Sequence, residues 1–211
     1  MVELIINAAT PLITLKVGER GRVDLKIDII VNNLLGVINS KFLNVYSKVR
    51  WIKNLGLLVK QWGKAKGIIN KSMLSSYAMV LMLIHYLIKT RKAKPIIDHR
   101  LTQDKAFFEF KRLKVNDVEK FKVYYEFKED PKEVSLEERC NYLKQLTGFM
   151  KYYAEDFWKE DEKYRIITVD QSIDRSVDTE RALTIKDPFD EPHNPGRVKS
   201  DSREFLVTKF K

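Results

Sequence analysis

The stretch "YAMVLMLIHYLI", residues 77–88, is the longest apolar run of the chain and the one that decides its fold. It is shorter than the ~18–20 residues that a membrane span needs, and His85 interrupts it. A buried core helix is the better interpretation. Serines in the preceding "LSSY" are typical N-caps, so we expect a helix from about Leu74 to Lys89.

Two more helices are expected on the N-terminal side, at Asn39–Lys48 and Val49–Lys66. Before them, "TPLITLKVGERGRVDLKIDIIVNN" predicts two strands around the Gly-rich turn "GERG". Because side chains alternate along a strand, one face of the second strand should carry three charged residues and the opposite face two apolar ones. These are Asp24, Lys26 and Asp28 on the first face, and Ile27 and Ile29 on the second.

The C-terminal side predicts a long helix over "SLEERCNYLKQLTGFMKYYAEDFW", residues 135–158. Ser135 and Glu138 form a capping box at its start. Its apolar stripe should consist of Leu136, Cys140, Leu143, Leu146, Phe149, Met150 and Tyr153. A strand over "KYRIITVD" and a last helix within "SREFLVTKFK" follow, while residues 90–134 mix charge with aromatics and predict an insertion with a few short strands or a partly ordered loop.

Cysteine and histidine counts exclude several classes of site. The single cysteine, Cys140, cannot form an intramolecular disulfide, which favours a reducing, intracellular compartment. Its expected role is that of a small, half-buried helix residue. The three histidines lie far apart in the sequence, so no cluster of Cys and His for a metal is predicted. The N-terminus lacks the pattern of a signal peptide.

The charge is unevenly distributed along the chain. Between Ile29 and Ile97 there is no Asp or Glu, whereas twelve Lys and Arg lie in that span. Since the whole chain carries +10, the remainder is net −2 (10 minus 12). A long basic block without acids indicates a polyanionic partner, meaning the phosphates of a nucleotide or a nucleic acid.

Two short motifs suggest where phosphate binds. Lys60 and Lys64 are four residues apart and share a helical face with Lys53. Two ammonium groups one turn apart repel each other unless an anion lies between them. Ser76 and Tyr77 open the apolar helix, and a helix N-terminus with hydroxyls is suited to an anion.

An unusual acidic segment, "KDPFDEPHNPGR", occupies residues 186–197. Its prolines and glycine predict a rigid loop, and Asp187, Asp190 and His193 recur at spacings of three. An Asp-Pro turn with a surface histidine is the simpler alternative.

Four blocks occur in order and at sensible spacing: "VDLKIDIIVNNLLGVINSKFLNVYSKV", "LLVKQWGKAKGI", "LSSYAMVLMLIHYL" and "IKDPFDEPHNPGR". Together they resemble the non-canonical poly(A) polymerase and terminal uridylyltransferase family over residues 10–90 and 135–205. The resemblance implies an α+β fold: part of a nucleotidyltransferase sheet, residues 1–38, followed by a mostly helical PAP-associated central domain, residues 39–211, with the charged insertion at about 90–134. It also implies nucleotide binding in the cleft between them.

The resemblance also implies the role of each site residue. Asp28 matches the third carboxylate of the catalytic metal site. Asn39 and Ser40 match the pair that contacts the ribose, Lys60 and Lys64 match the lysines that bind the triphosphate, and Ser76 and Tyr77 match the pair that contacts the phosphates and stacks on the base. On the base-reading loop, Asp187 and Asp190 match the acidic positions, and His193 matches the histidine that favours uracil over adenine. Members that lack this histidine tend to add adenosine.

One expected element is missing from the sequence. The family's first two metal ligands come from an Asp-x-Asp pair after a Gly-Ser turn, and neither motif precedes Asp28. Asp24 cannot replace them, because four residues at about 3.3 Å each place it roughly 13 Å from Asp28. The chain is therefore a fragment of a longer enzyme, a subunit completed by another chain, or a relative that lost catalysis, and alone it is expected to be inactive.

The resemblance implies Mg²⁺ or Mn²⁺ as cofactor and UTP as substrate, and the reaction would add uridylates to RNA 3′ ends. A poly(A) polymerase and a non-catalytic RNA-binding scaffold remain alternatives. Expected partners are an RNA 3′ end, a nucleoside triphosphate and other subunits of an RNA-processing complex, with no membrane. The compartment is expected to be cytoplasmic or nuclear, with a mitochondrial location left open.

Overall fold

A computed structural model describes residues 1–6, 11–18, 25–31, 33–97, 107–114, 117–124, 141–159, 165–169, 181–190 and 193–211. Three strands open the chain: β1 (Val2–Ile5), β2 (Leu12–Val17) and β3 (Leu25–Ile30). They form an antiparallel sheet in the order β1-β2-β3. In its register Thr14 lies opposite Asp28, and Leu15 lies opposite Ile27. The predicted Asp24 lies outside the described residues.

Three helices follow the sheet: α1 (Leu34–Lys48), α2 (Arg50–Ala65) and α3 (Ser76–Lys89). The predicted start of α1 at Asn39 is wrong by five residues (39 minus 34), because the Asn33 side chain accepts a hydrogen bond from the Gly36 backbone N–H and caps the helix earlier. The expected boundary between residues 38 and 39 thus falls inside a helix, and the division into two domains stays a prediction.

The prediction of α3 as the core helix is confirmed. Ser75 is its N-cap and accepts a hydrogen bond from the Ala78 N–H. Nine of its residues are buried, from Ala78 to Leu87. No helix among the described residues has the length and apolarity that crossing a membrane requires.

The second half of the chain consists of short elements. These are the hairpin β4 (Phe107–Lys114) and β5 (Asp117–Tyr124), helix α4 (Tyr142–Lys151), a π-helical turn (Tyr152–Asp156), α5 (Phe157–Lys159), the parallel pair β6 (Ile166–Ile167) and β7 (Thr184–Ile185), a 3₁₀ turn (Ser200–Ser202) and α6 (Arg203–Phe210). The hairpin agrees with the short strands expected in the insertion. The predicted last helix is present as α6.

Helix α4 departs from the predicted apolar stripe. Leu143 is 71% exposed, whereas Gln145 and Phe149 are buried. At 100° per residue these two positions lie about 200–240° around the helix from Leu143, so Leu143 points away from the core. Gln145 occupies the inner face instead, where its Oε1 lies 3.5 Å from the Tyr86 hydroxyl. The predicted capping box of Ser135 and Glu138, together with Leu136 and Cys140, lies outside the described residues.

Candidate nucleotide site

Asp28 faces a groove between the sheet and α1. The Thr14 hydroxyl donates a 2.7 Å hydrogen bond to its Oδ1, and the Lys26 ammonium lies 3.5 Å from the same oxygen. The Thr14 hydrogen bond, assisted by the charge of Lys26, lowers the pKa of the Asp28 carboxyl below its ordinary value. The groove has a volume of about 1010 Å³, and its wall brings Asp28 together with Ser40, Lys41 and Asn44 of α1. Two residues expected in one site, Asp28 and Ser40, therefore lie in one groove.

A second group joins α1, α3 and the loop 186–197. The Tyr77 hydroxyl donates to the Asn39 side-chain oxygen at 2.9 Å and lies 3.4 Å from Oδ1 of Asp187. Burial, together with the neighbouring Asp187 charge, raises the pKa of Tyr77 well above its ordinary value, so its hydroxyl remains a donor. The Tyr77 hydroxyl thus contacts residues 38 and 110 positions away in sequence, while the roles of the three residues stay predictions.

His193 completes this group. Its Nδ1 lies 3.5 Å from Oδ2 of Asp187 and 3.9 Å from Oδ2 of Asp190. The two aspartates are buried, with side chains 3% and 5% exposed, whereas the His193 side chain is 46% exposed. Because Nδ1 faces the carboxylates, the opposite edge of the ring is the part available to a ligand.

The sequence did not single out the residues that hold this loop in place. Asn194 anchors it through both ends of its side-chain amide: Nδ2 donates to the Leu183 carbonyl at 3.0 Å, and Oδ1 accepts from the Ile185 and Gly196 N–H groups. The Phe189 ring also packs edge-on against Phe42 of α1, with ring centroids 5.6 Å apart. The signal for the first anchor was present, since Asn before Pro-Gly is typical of a turn that the side chain itself closes.

The loop is also fixed to the start of α3. The Arg197 N–H donates to the Met73 carbonyl at 3.1 Å, and Gly196 forms a backbone bridge to Leu74. Because Ser76 and Tyr77 begin the helix two residues later, the loop and the helix N-terminus are held in one arrangement.

Lys60 and Lys64 lie near the end of α2, on either side of the close approach of that helix to α3. A Cβ on Gly63 would lie 3.0 Å from the Ile69 and Met79 side chains, so a glycine lets the two helices meet here. Lys64 is exposed, and Lys60 is half-buried. Within the described residues, no ion pair or hydrogen bond joins either lysine to Asp28, Tyr77 or the loop. The structure thus places the lysines beside the helix that carries Ser76 without linking them to the other site residues.

The described residues do not make up a two-metal site. In the part of the chain that the structure describes, no group of three or more His, Cys, Asp or Glu side chains is arranged to hold a metal ion. Asp28, with its ionised carboxylate held by Thr14, fits the role of one such ligand. Two-metal catalysis needs several carboxylates around ions about 3.5–4 Å apart, so the described residues do not fit the complete group.

Comparison with known proteins agrees with these observations. No protein-family model matches the chain. It is 34% identical over 139 residues to the poly(A) RNA polymerase gld-2 of Caenorhabditis elegans, covering 64% of this chain and 12% of that protein. It is 29% identical over 206 residues to the terminal uridylyltransferase cid1 of Schizosaccharomyces pombe, covering 85% of this chain and 47% of that protein. The chain therefore spans less than half the length of either relative.

Solved structures give the same result. The Cid1 poly(U) polymerase, in a structure with bound MgATP, superposes with a TM-score of 0.68 at 25% identity, covering 100% of this chain and 65% of that one. The resemblance to the non-canonical poly(A) polymerases and terminal uridylyltransferases, and the α+β nucleotidyltransferase fold that it implied, are confirmed.

Proposed function

We propose that this chain, a homologue of the non-canonical poly(A) polymerases and terminal uridylyltransferases, supplies the nucleotide-binding part of a template-independent RNA nucleotidyltransferase that adds uridylates to RNA 3′ ends. The observation that carries the proposal is the group formed by Asn39, Tyr77, Asp187 and His193. Recognition of a nucleoside requires a residue that contacts the ribose, a ring that stacks on the base and a loop that reads the base. The residues proposed for these roles lie on three separate elements and contact one another in sequence along the group.

The choice of UTP rests on His193. Its ring stands at the surface of a loop that is anchored at both ends, and its Nδ1 edge faces two buried carboxylates at 3.5 and 3.9 Å. Attraction to these carboxylates favours this orientation of the ring. We infer that it leaves room for a pyrimidine on Tyr77 and crowds a purine, and a pocket whose polar groups would be left unpaired by the wrong base increases this discrimination.

The triphosphate is assigned to Lys60, Lys64 and Ser76. The lysines offer two ammonium groups one helical turn apart, and Ser76 is the first residue of α3, where unpaired backbone N–H groups favour an anion. In the proposed reaction the 3′-hydroxyl of the RNA attacks the α-phosphate of UTP, the new phosphodiester forms, and pyrophosphate leaves. The two lysines would stabilise the negative charge that develops on the pyrophosphate.

A divalent metal, Mg²⁺ or Mn²⁺, would activate the attacking hydroxyl in such a reaction. Of the described residues, Asp28 is the one proposed to hold it. Within the described residues, the further carboxylates that such a site requires are not grouped around Asp28.

The proposed RNA contact is the acid-free basic block between residues 29 and 97. Contacts with phosphates release counterions, so RNA affinity should fall steeply as salt concentration rises. An RNA affinity that does not change with salt concentration would argue against this block as the RNA surface.

The experiment that tests the proposed function compares binding of UTP and ATP to the chain and to its His193→Ala and His193→Asn variants by isothermal titration calorimetry. Removing the ring should raise ATP affinity relative to UTP by about tenfold or more, the scale that a steric pocket provides. Asp201→Ala, at an exposed position beyond the loop, is the control for a nonspecific effect of substitution. An unchanged ATP-to-UTP ratio would remove His193 as the selecting residue and favour a poly(A) polymerase.

A second candidate function is a non-catalytic RNA-binding scaffold. The observation that favours it is that, within the described residues, no group of three or more His, Cys, Asp or Glu side chains is arranged to hold a metal ion at Asp28. Tight RNA binding without any measurable binding of UTP in the presence of Mg²⁺ would select this alternative.

A further inference from the structure

Four polar side chains form a line across the candidate site. The Asn39 oxygen accepts from the Tyr77 hydroxyl at 2.9 Å, this hydroxyl lies 3.4 Å from Oδ1 of Asp187, and the second oxygen of Asp187 lies 3.5 Å from Nδ1 of His193. The line begins on α1, crosses the first turn of α3 and ends on the loop. Tyr77 and Asp187 link Asn39 to His193.

The central residue of this line has one hydrogen and two acceptors. A tyrosine hydroxyl donates a single hydrogen bond, and O–H···O bonds are most favourable near 2.7–2.8 Å. The distances of 2.9 and 3.4 Å show that the hydrogen is given mainly to Asn39, with Asp187 as the second acceptor. Any group that competes for the Asn39 oxygen therefore favours donation to Asp187.

Asp187 is buried, so a change in the hydrogen bonds that it accepts should affect its interaction with His193. Asp187 is 3% exposed, and Oδ1 also accepts a 3.1 Å hydrogen bond from the Phe189 N–H. In a buried site, where water screens charge weakly, an added hydrogen bond to a carboxylate is stronger than in water and polarises the other hydrogen bonds of that carboxylate. His193 faces the other oxygen of that carboxylate, so its ring should sense whether Tyr77 donates to Asp187.

We propose that the Tyr77 hydroxyl couples the two ends of this line, so that a hydroxyl bound at Asn39 changes the interaction between Asp187 and His193. For a bound nucleotide, and resting on the function proposed above, the ribose and the base are then recognised cooperatively and not as independent groups. Tyr77 acts here through its neighbours as a positioning residue, in addition to the stacking role proposed for its ring.

The first test needs no ligand. The chain has three histidines, so the imidazole signals of His193 can be assigned in a ¹H–¹⁵N NMR spectrum by their loss in a His193→Gln variant. Asn39→Ala removes the preferred acceptor, and the hydroxyl should turn to Asp187. The expected result is a shift of the His193 ring signals in Asn39→Ala that disappears when Tyr77→Phe is combined with it.

Two controls come from the chain itself. Asn44→Ala makes the same substitution on the same helix without removing an acceptor of Tyr77, and it should leave the His193 signals in place. The His85 ring, buried beside Tyr152 and Thr168, should not move in any of these variants. Unchanged His193 signals in Asn39→Ala, or an equal shift in the Tyr77→Phe background, would overturn the proposal.

The second test measures the coupling with nucleotides. Affinities for UTP and dUTP are determined in the unchanged chain and in His193→Ala, and the same pair of measurements is repeated in the Tyr77→Phe background. The loss caused by removing the 2′-hydroxyl should differ by about threefold or more between the first two proteins and be equal in the second two. Additive losses in both backgrounds would overturn cooperative recognition, whereas a failure of the unchanged chain to bind UTP would contradict the proposed function and leave the ligand-free result to decide the coupling.

Discussion

In α3 nine residues are buried, whereas all six residues of β3 are exposed. The helix is enclosed by α2, the π-helical turn and the pair β6–β7, and it carries Ser76 and Tyr77. The strand carries Asp28 at the edge of a three-stranded sheet. The difference indicates that the candidate nucleoside-binding residues rest on a well-packed core, while Asp28 rests on an element with little burial of its own.

The register of the sheet shows how its two faces differ. Residues paired across strands share a face, so Leu4, Ile13 and Ile29 lie on one side. Glu3, Thr14 and Asp28 lie on the other side, with Lys16 and Lys26. Of the apolar group, Leu4 is 64% and Ile29 42% exposed. A sheet with an apolar face that is not buried gains little from hydrophobic packing, so its local stability should be lower than that of the helices.

The largest expected effect tests this comparison directly. Phe149 is fully buried against Tyr86 and Tyr153. Its change to Ala should lower the free energy of unfolding of the protein by about 3–5 kcal/mol. Ile29→Ala on the sheet should lose less than about 1 kcal/mol, because the side chain is already in contact with water. Urea denaturation measures both. Equal losses would show that the sheet is stabilised by burial as strongly as the helices are.

A second prediction concerns the pH dependence of the core. Burial lowers the pKa of His85 to about 4, while its Nδ1 lies 2.8 Å from the Thr168 carbonyl oxygen and its Nε2 lies 3.2 Å from the Tyr152 hydroxyl. Since the folded pKa is below the unfolded value of 6.5, the neutral ring stabilises the fold above pH 6.5, and this contribution is lost as pH falls toward 4. At about 1.36 kcal/mol per pKa unit, the loss should approach 3 kcal/mol.

The contribution of His85 is isolated by subtraction. The difference in unfolding free energy between the unchanged chain and His85→Gln should shrink between pH 7 and pH 4.5, since the glutamine does not titrate. A difference that stays constant over this range would mean that the ring is not held in its neutral form by burial.

The smallest expected effect lies on the sheet. Thr14→Val keeps the shape of a side chain that has no exposed surface but removes the hydrogen bond to Asp28. The pKa of Asp28 should then rise toward its ordinary value, because that hydrogen bond is the main cause of its lowering. Carbon-13 NMR titration of the Asp28 carboxyl measures the change, with Lys26→Gln as the comparison for the weaker effect of charge. A larger rise in Lys26→Gln would contradict the assigned cause.

The hydrogen bond from Thr14 to Asp28 stabilises the fold at higher pH, where the carboxyl is ionised. Since the pKa of Asp28 is lowered in the fold, its contribution is present above the unfolded pKa and is lost as pH falls through the folded pKa. Because Asp28 is exposed, the contribution itself should be small.

Local patterns predicted much of this architecture. The apolar run identified α3, and the serines before it identified its cap. The alternation of charged and apolar residues placed Asp28 on one face of β3 and Ile27 and Ile29 on the other face. The stripe of α4 was predicted less well, because Gln145 is buried and Leu143 is exposed. Helical period alone cannot tell which part of a mixed surface turns inward when a polar side chain finds a partner such as Tyr86 in the core.

The candidate site was predicted through the resemblance rather than through geometry. Spacing alone suggested a phosphate site at Lys60 and Lys64, and it left an ordinary Asp-Pro turn as the simpler alternative for the loop. The structure adds what no spacing contains: the Tyr77 hydroxyl lies within hydrogen-bonding reach of both Asn39 and Asp187. The roles assigned to these residues stay predictions until the binding experiments are made.

What the sequence by itself determined were the elements whose causes are local: an apolar period, a capping side chain, a Pro-Gly turn and a basic block without acids. What only the tertiary structure decided were the contacts between distant segments. The π-helical turn at Tyr152–Asp156 brings the Tyr153 hydroxyl to the Met82 carbonyl and the Tyr152 hydroxyl to His85. Tyr77 and Asp187 meet across 110 residues for the same reason: such contacts depend on how whole elements pack, and packing free energy is a property of the assembled core, not of any short stretch of chain.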